Sequence, residues 1–352
     1  MITVGMLFES MPQNKKGVYY SLLYMAQSHN IELFFFTPED TDFQNESING
    51  LFFEGGKTIR KLTEIPPLID NHIPPLEPKI IEYYRKLEKH THIPRHRLGL
   101  NKLGQYRKIT SENKFSYLMI PTQIVKCCSD IIRVFEVFGT NEIIVKSYYG
   151  IQGKGIVKIA KSQIGYTISS NKYLSDMDEL GLRDFFRQFP LKNHIAQTVA
   201  NSRTLRGEPF DIRIRVQRRN GNEHYFDMYP RIGSKGNVTS NIHTGGYSFP
   251  IKTFLEWEYG QVWQKVYTEL ERLGTEFPTY FQKFLDEPFF DLGLDVGIEK
   301  REDMSFQLCL FEINAFPGAS GNLGERTGIG TIIATFEYYH YLYDCFIAGS
   351  SI

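Results

Sequence analysis

A glycine-rich loop between two apolar strands is the feature that most restricts how this sequence can fold. The pattern predicts a strand over Glu142–Ser147, with Lys146 near its end, and a returning strand over Ile156–Ala160. The loop residues predicted to contact a phosphate are Gly150, Gly153, Lys154 and Gly155. Glycine backbone N–H groups can surround a phosphate without Cβ obstruction, and a lysine adds positive charge. The alternative is a glycine-rich hairpin with a surface lysine.

Oxygen-bearing side chains lie on two apolar strands nearer the C-terminal end. The sequence predicts strands over Leu292–Ile298 and Gln307–Ile313, and Asp295 lies on the first of them. Glu312 and Asn314 are two residues apart, so on a strand they face the same side. Two carboxylates and an amide oxygen are the hard ligands that Mg²⁺ prefers. A solvent-facing strand edge is the alternative, but the apolar neighbours indicate burial, where an unpaired carboxylate is costly.

Arginines alternate along another predicted strand, Asp211–Arg218. Arg213 and Arg215 share one face with Asp211, and Arg231 lies on the next predicted strand, Phe226–Ile232. Arginine on a sheet suits phosphate or carboxylate recognition. For one of Arg213 and Arg215, a structural salt bridge to Asp211 is the competing interpretation.

Length, charge balance, apolar runs and cysteine spacing together limit the kind of protein that this sequence can encode. At about 150 residues per domain, 352 residues predict two or three domains. The chain has 40 basic residues (lysine and arginine) and 40 acidic residues (aspartate and glutamate), so its formal net charge is zero. This balance argues against a dedicated nucleic-acid binder. The basic run 95–108 nevertheless keeps nucleic-acid binding open as an alternative. No apolar run reaches the ~18 residues of a membrane helix, and no signal peptide is visible. The four cysteines lack metal-ligand spacing, so we expect a reduced, cytoplasmic setting.

The overall pattern predicts an α/β protein. Residues 1–110 read as a small α/β unit, with strands over Ile2–Phe8 and Glu32–Phe36 and a helix over Val18–Ser28. Farther along, a helix is predicted over Asp130–Phe138, and one long amphipathic helix over the stretch from Phe254 to Leu273.

Several motifs occur in an order that resembles the ATP-grasp superfamily. Gly236–Gly246 and Glu325–Ile329 are similar to segments of the RimK-like glutamate ligases, and Phe311–Gly318 resembles the superfamily's metal-binding strand. The overall resemblance is closest to the YheC/YheD endospore coat-associated group. The motifs that carry it are Asn113-Lys114-Phe115, Pro121-Thr122, Phe210-Asp211-Ile212-Arg213 and Gly293–Gly297.

The resemblance implies a two-lobed fold that clasps ATP behind a small α/β pre-ATP-grasp domain. The implied division is a pre-ATP-grasp domain over 1–110, a small lid subdomain over 111–195 and a large subdomain with the metal site over 196–352.

The resemblance also implies a role for individual residues. The nucleotide-binding residues are Lys114 and Lys146 at the phosphates, Gly150 to Gly155 as the loop above them, and Gln197, Thr198 and Val199 as the hinge that reads adenine. The catalytic contacts to phosphate or acyl phosphate are Arg213, Arg231 and Asn241. The metal ligands are Asp295, Glu312 and Asn314, for two Mg²⁺ ions or for Mn²⁺. D-alanine ligases carry an arginine where this chain has Gly293, so the charge that stabilises the tetrahedral intermediate must come from elsewhere, and Arg231 is the candidate.

The implied activity is ATP-dependent ligation of a carboxylate to an amine through an acyl phosphate, with release of ADP and phosphate. The implied partners are a small-molecule or peptide carboxylate and an amine, with a homo-oligomer left open and neither nucleic acid nor a membrane expected. The expected location is cytoplasmic, with spore association left open. The alternative is a non-catalytic ATP-binding structural or assembly protein of the spore coat.

Overall fold

The protein is described by a computed structural model. The described residues are 1–11, 16–73, 77–94, 97–149, 155–170, 173–238, 240, 246–301, 303, 305–315 and 329–348. They form an α/β fold with three sheets in chain order. The α/β class predicted from the sequence is confirmed.

The first sheet contains the N-terminal strands. Its members are β1 (Ile2–Leu7), β2 (Ile31–Phe36), β3 (Thr41–Asp42), β4 (Ser47–Glu54), β5 (Lys57–Glu64) and β6 (Leu68–Asn71), with helix α1 (Lys16–Ser28) between β1 and β2 and α2 (Pro78–Leu87) after β6. The strand order is β3-β4-β2-β1-β6, and β5 pairs with β4. β1 pairs in parallel with both β2 and β6. The carboxyl ends of these three strands therefore lie along one edge.

The second sheet is antiparallel and forms the smaller lobe. Helix α3 (Lys102–Thr110) precedes it, and its elements are β7 (Thr122–Val125), α4 (Cys128–Phe138), β8 (Glu142–Ser147), β9 (Val157–Ser162), β10 (Gly165–Ser170), β11 (Tyr173–Met177), α5 (Glu179–Gln188) and β12 (His194–Thr198). The order is β11-β10-β9-β8-β12-β7. Apolar residues of α4 at helical spacing, such as Ile131, Val134 and Phe135, pack on this sheet. Gly139 ends α4 in the left-handed conformation (φ 60°), which favours glycine.

The third sheet forms the larger lobe. Its elements are β13 (Phe210–Asn220), β14 (Glu223–Ile232), β15 (Tyr247–Ser248), α6 (Ile251–Tyr259), α7 (Trp263–Gln282), β16 (Asp291–Lys300), β17 (Phe306–Asn314) and α8 (Ile329–Ala348). The order is β15-β14-β13-β16-β17. Ile212, Ile214 and Val216 of β13 pack with apolar side chains of α6 and α7. Alternation along the strand therefore turns Arg213 and Arg215 to the opposite face.

The prediction of one helix from Phe254 to Leu273 is wrong. α6 ends at Tyr259, Gly260 has a φ of 50°, and α7 starts at Trp263 after a short turn. Apolar residues continue at helical spacing on both sides of this break, so periodicity alone does not reveal it. A close approach fixes α7 on the sheet, because a Cβ on Gly274 would come within 2.4 Å of the Phe226 ring.

Helix α8 connects the first and third sheets. Its residues Phe336, Tyr339 and Leu342 pack in one cluster with residues of β1 and β2. The Tyr339 hydroxyl donates a hydrogen bond to the buried Asp70 carboxylate of β6. Among the described helices, none has the length and apolar character needed to cross a membrane.

Candidate functional site

A cleft opens where the end of β8 in the second sheet meets β17 of the third. Lys146 donates a hydrogen bond to the Phe311 carbonyl oxygen at 3.2 Å and so bridges the two lobes. The residues that line the cleft are Lys102, Gln105, Tyr106, Met119, Lys146, Ile195, Gln197, Leu310, Phe311, Glu312 and Ile313. Lys146, near the end of strand β8, thus contacts the carboxylate-bearing strand β17.

A bulge in β17 sets the direction of Glu312. Leu310 pairs with Val296 and Glu312 pairs with Asp295, so β17 has one extra residue at this point. Both Leu310 and Ile313 lie in the core beneath α6 and α7. Regular alternation from Leu310 would turn Glu312 into that core, but the extra residue turns it to the polar face. Glu312 and Asn314 then share that face with Asp295.

The Asp295 carboxylate is held by two guanidinium groups. Arg213 donates to both of its oxygens, at 2.5 and 3.2 Å, and Arg231 lies 2.9 Å from Oδ2. The Asn314 side-chain nitrogen donates to Oδ2 at 3.2 Å. Burial alone would raise the pKa of Asp295, but the two arginines hold it below its usual value. Asp295 is therefore ionised at neutral pH.

Arg231 extends this network to Asp211. Its Nε and Nη2 donate to the two Asp211 oxygens at 2.6 and 2.7 Å, and the Ser240 hydroxyl also donates to Asp211. Burial would lower the pKa of Arg231, but the two carboxylates raise it well above its ordinary value. The salt bridge to Asp211 is thus made by Arg231, whereas the sequence suggested Arg213 or Arg215 as its partner.

Lys102 is a site residue that the sequence analysis missed. Asn101 caps α3 by accepting from the Gly104 amide, so Lys102 occupies the first helical position. Its ammonium lies 3.2 Å from Glu312 Oε1. One turn later, the buried Gln105 donates to the Ile313 carbonyl oxygen and anchors α3 to β17. The available signal was the Asn-Lys pair, which occurs at Asn101-Lys102 as well as at Asn113-Lys114.

The pKa of the Lys146 ammonium is lower than that of an ordinary lysine. Burial lowers its pKa to about 8, with Lys102 adding to the effect while Glu312 and Asp295 oppose it. The group therefore carries its charge at neutral pH and loses it in the mildly alkaline range. Two lysines beside one glutamate leave the cleft suited to a polyanion.

The structure does not bring Lys114 to this cleft. Its ammonium forms an ion pair with Glu276 of α7 at 3.0 Å, and 53% of its side chain is exposed. The neighbouring Phe115 is buried against Phe277 and Tyr280, which directs this segment toward α7.

The predicted adenine hinge lies at the end of β12. Gln197 lines the cleft, and its side-chain nitrogen donates to the Thr122 hydroxyl at 2.7 Å. The Thr198 amide donates to the Pro121 carbonyl oxygen at 3.4 Å. Val199 begins the connection from the second sheet to β13 of the third. The three residues therefore lie where the chain passes between the lobes.

Part of the predicted site lies outside the described residues. These residues are Gly150, Gly153, Lys154 and Asn241. Gly155 is described and has a φ of 72°, a conformation that favours glycine.

The donor set fits a hard divalent cation. Asp295, Glu312 and Asn314 lie on adjacent strands, with Asp295 paired to Glu312 and Gly293 to Asn314. Their two carboxylates and one amide oxygen are ligands suited to Mg²⁺. Within the described part of the chain, no three His, Cys, Asp or Glu side chains are grouped to hold a metal. A cation here would need the amide of Asn314 or oxygens from the nucleotide.

Solved structures match this chain over most of its length. D-cycloserine synthetase DcsG matches with 11% identity and a TM-score of 0.54, covering 96% of this chain and 99% of that one. N5-carboxyaminoimidazole ribonucleotide synthetase in its ADP complex matches with 11% identity and a TM-score of 0.49, covering 91% and 72%. D-alanine–D-alanine ligase from Helicobacter pylori matches with 12% identity and a TM-score of 0.41, covering 96% and 98%.

The similarity to DcsG supports the fold. No curated protein has a sequence that matches this chain. The model of the YheC/D-like ATP-grasp family matches residues 93–342, which is well over half of the chain. The resemblance stated from the motifs is thereby confirmed, and the chain belongs to the YheC/D-like ATP-grasp family.

Proposed function

We propose that the protein is an ATP-dependent carboxylate–amine ligase that forms an amide through an acyl phosphate. The observation that carries this proposal is the convergence of Lys102 and Lys146 on Glu312, beside the ionised Asp295. Cations and carboxylates brought together in a cleft between two lobes suit a nucleoside triphosphate with a divalent cation. Membership of the YheC/D-like ATP-grasp family supports the same assignment.

In the proposed reaction, an oxygen of the substrate carboxylate attacks the γ-phosphorus of ATP, and the bond from phosphorus to the ADP oxygen breaks. The amine nitrogen then attacks the acyl carbon, inorganic phosphate leaves, and the amine loses a proton. Lys102 and Lys146 would bind the phosphates, and Arg213 and Arg231 would orient Asp295 and neutralise charge on the transferred group. Gln197, Thr198 and Val199 would bind adenine at the hinge.

Asp295, Glu312 and Asn314 would hold Mg²⁺. When bound, the ion supplies charge neutralisation at the phosphates. We place Lys102, in addition to Lys146, at the phosphates because it lies in the cleft and Lys114 does not. The roles of Gly150, Gly153, Lys154, Gly155 and Asn241 stay as the family resemblance implies them, and so does the division at residues 110 and 195.

The acyl phosphate can be trapped directly. The purified protein is incubated with ATP, Mg²⁺, a panel of carboxylates and hydroxylamine, and hydroxamate and ADP are measured together. We expect equimolar hydroxamate and ADP with at least one acid. Lys146→Ala should lose the reaction, while Lys265→Ala, which removes an exposed lysine of α7, should retain it. Normal turnover in Lys146→Ala would refute the role of that lysine.

The competing function is nucleotide binding without catalysis, in a structural or assembly protein. It is favoured by one observation, since Arg213 and Arg231 already occupy both oxygens of Asp295. It predicts saturable ATP binding with neither ADP nor hydroxamate formed from any carboxylate.

A further inference from the structure

A second cavity lies between the carboxyl edge of the first sheet, helix α8 and the polar face of the third sheet. Residues from all three parts line it, among them Met6, Asp70, Arg215, Gln217, Asp291 and Thr331. Met6 and Asp70 are paired near the ends of the parallel strands β1 and β6. β1 connects through α1 to β2 on its other side, so this pair marks the point where the connections diverge. Ligands of open parallel sheets bind in such a crevice.

Arg215 is the main charged group of this cavity that lacks a partner. It is 4% exposed, and its Nε and Nη1 have no hydrogen-bond partner among the described residues. Burial lowers the pKa of Arg215, and the charges of Asp291 and Asp227 oppose that shift from a distance, without a direct ion pair between either described carboxylate and the guanidinium. A buried, unpaired cation is costly, which favours an anionic ligand as its partner.

Two neutral groups of the same cavity are also unsatisfied. Thr331 Oγ1 and Gln217 Oε1 have no partner among the described residues, although these residues are only 1% and 0% exposed. The Gln217 amide nitrogen donates to two carbonyl oxygens, so its own oxygen is left to accept a hydrogen bond. The cavity therefore offers donors at Arg215 and an acceptor at Gln217.

Acidic groups also line the cavity, and the charge of one of them, Asp291, acts on Arg215 as well. Asp291 is 2% exposed and is paired with Gln217 across β13 and β16. Asp70 is also buried, and it accepts from the Tyr339 hydroxyl. A ligand with a carboxylate at one end and an ammonium at the other matches donors at Arg215 and acceptors at Gln217 and Asp291.

The order of these groups along β13 gives the ligand a direction. Gln217, Arg215 and Arg213 follow one another on one face of β13. Neighbours in this series are two residues apart, so their Cα atoms are about 7 Å apart along the strand. Arg213 contacts Asp295. Gly293 is paired with Arg215 on one side and with Asn314 on the other, so it adds no side chain between them. A carboxylate at Arg215 therefore lies between the ammonium and the proposed phosphoryl-transfer site.

We propose that this cavity binds a free α-amino acid and that the amino acid is the acid that becomes phosphorylated. Arg215 and Thr331 contact its carboxylate, and Gln217 and Asp291 contact its ammonium. This inference rests on the proposed ligase function and adds a substrate class to it. In the step itself, the amino-acid carboxylate oxygen attacks the γ-phosphorus and ADP leaves.

The hydroxylamine assay tests the proposal with four sets of probes: the proteinogenic L-α-amino acids with D-alanine, their amides, their N-acetyl derivatives, and acetate and propionate. We expect aminoacyl hydroxamate from at least one free amino acid and none from its amide. Propionate and the N-acetyl form should need concentrations about tenfold or more above that of the free amino acid for half-maximal hydroxamate formation.

Arg215→Met should raise the half-saturating amino-acid concentration about tenfold or more, and Thr331→Val should raise it less. ADP–Mg²⁺ affinity should be unchanged in both variants, and Arg183→Met, at an exposed arginine of α5, should change neither quantity.

Three outcomes would overturn the proposal. One is equal use of propionate and the amino acid, and another is an unchanged half-saturating concentration in Arg215→Met. The third is that hydroxamate forms only from carboxylates without an amino group; this result would leave the proposed ligase function intact. Hydroxamate from no carboxylate at all would instead remove the ligase function on which the inference rests.

Discussion

Arg213 and Arg215 lie two residues apart on one face of β13, yet their surroundings are opposite. Arg213 donates to both oxygens of Asp295, whereas two nitrogens of Arg215 have no partner among the described residues. Both residues are almost fully buried. A buried pair keeps its geometry, and a buried cation without a partner lowers stability until a ligand supplies one. On this strand, the Arg213–Asp295 pair is therefore preformed, whereas Arg215 gains its partner only when a ligand binds.

The largest expected effect on stability comes from breaking the preformed part. Arg213→Met should lower the free energy of unfolding by about 3 kcal/mol, because it removes two of the donors to the buried Asp295. Urea denaturation measures the change. Arg183→Met, where the exposed arginine pairs with Glu179, serves as the control and should stay within about 0.5 kcal/mol. If both variants lowered the free energy of unfolding by the same amount, the Arg213–Asp295 pair would not stabilise the fold more than an exposed ion pair does.

Removing the unpaired cation should have the opposite sign. Without amino acid present, Arg215→Met should raise the free energy of unfolding by about 1–3 kcal/mol, because a desolvated donor group without a partner is lost. The same urea titration applies. A loss of stability as large as that of Arg213→Met would mean that the guanidinium is satisfied in the free protein, and the contrast between the arginines would disappear.

A smaller effect is expected from pH. Lys146 has a pKa lowered to about 8, so it is charged below that pH and neutral above it. Affinity for ADP–Mg²⁺ should therefore be constant at neutral pH and fall by up to about tenfold per pH unit above about 8. Calorimetric titration across this range measures it. Lys146→Arg should remove the dependence, and a wild-type affinity that stays constant through alkaline pH would contradict the lysine's role.

The sequence predicted those features that depend on local pattern. The strand over Glu142–Ser147 has the predicted bounds, because the apolar run of this segment determines them. Asp295, Glu312 and Asn314 could be placed on one face because they lie on recognisable strands.

Other features depend on contacts between distant segments, which no local pattern shows. The bulge that turns Glu312 from the core follows from the pairing of β16 with β17. Lys102 was missed because two Asn-Lys pairs lie close together and only the packing of α3 on β17 distinguishes them. The missing partner of Arg215 likewise depends on three separate parts of the chain meeting at one cavity.

The central claim is that the cleft at β8 and β17 binds the nucleotide phosphates, and affinity for ADP–Mg²⁺ in three lysine variants tests it most directly. Lys146→Ala and Lys102→Ala should each weaken binding about 10- to 100-fold, the effect of one charge-assisted hydrogen bond. Lys114→Ala removes an ion pair with Glu276 and a contact with the Phe115 ring, both outside the cleft, and should leave binding unchanged. Weaker binding in Lys114→Ala together with normal binding in the other two would contradict the account.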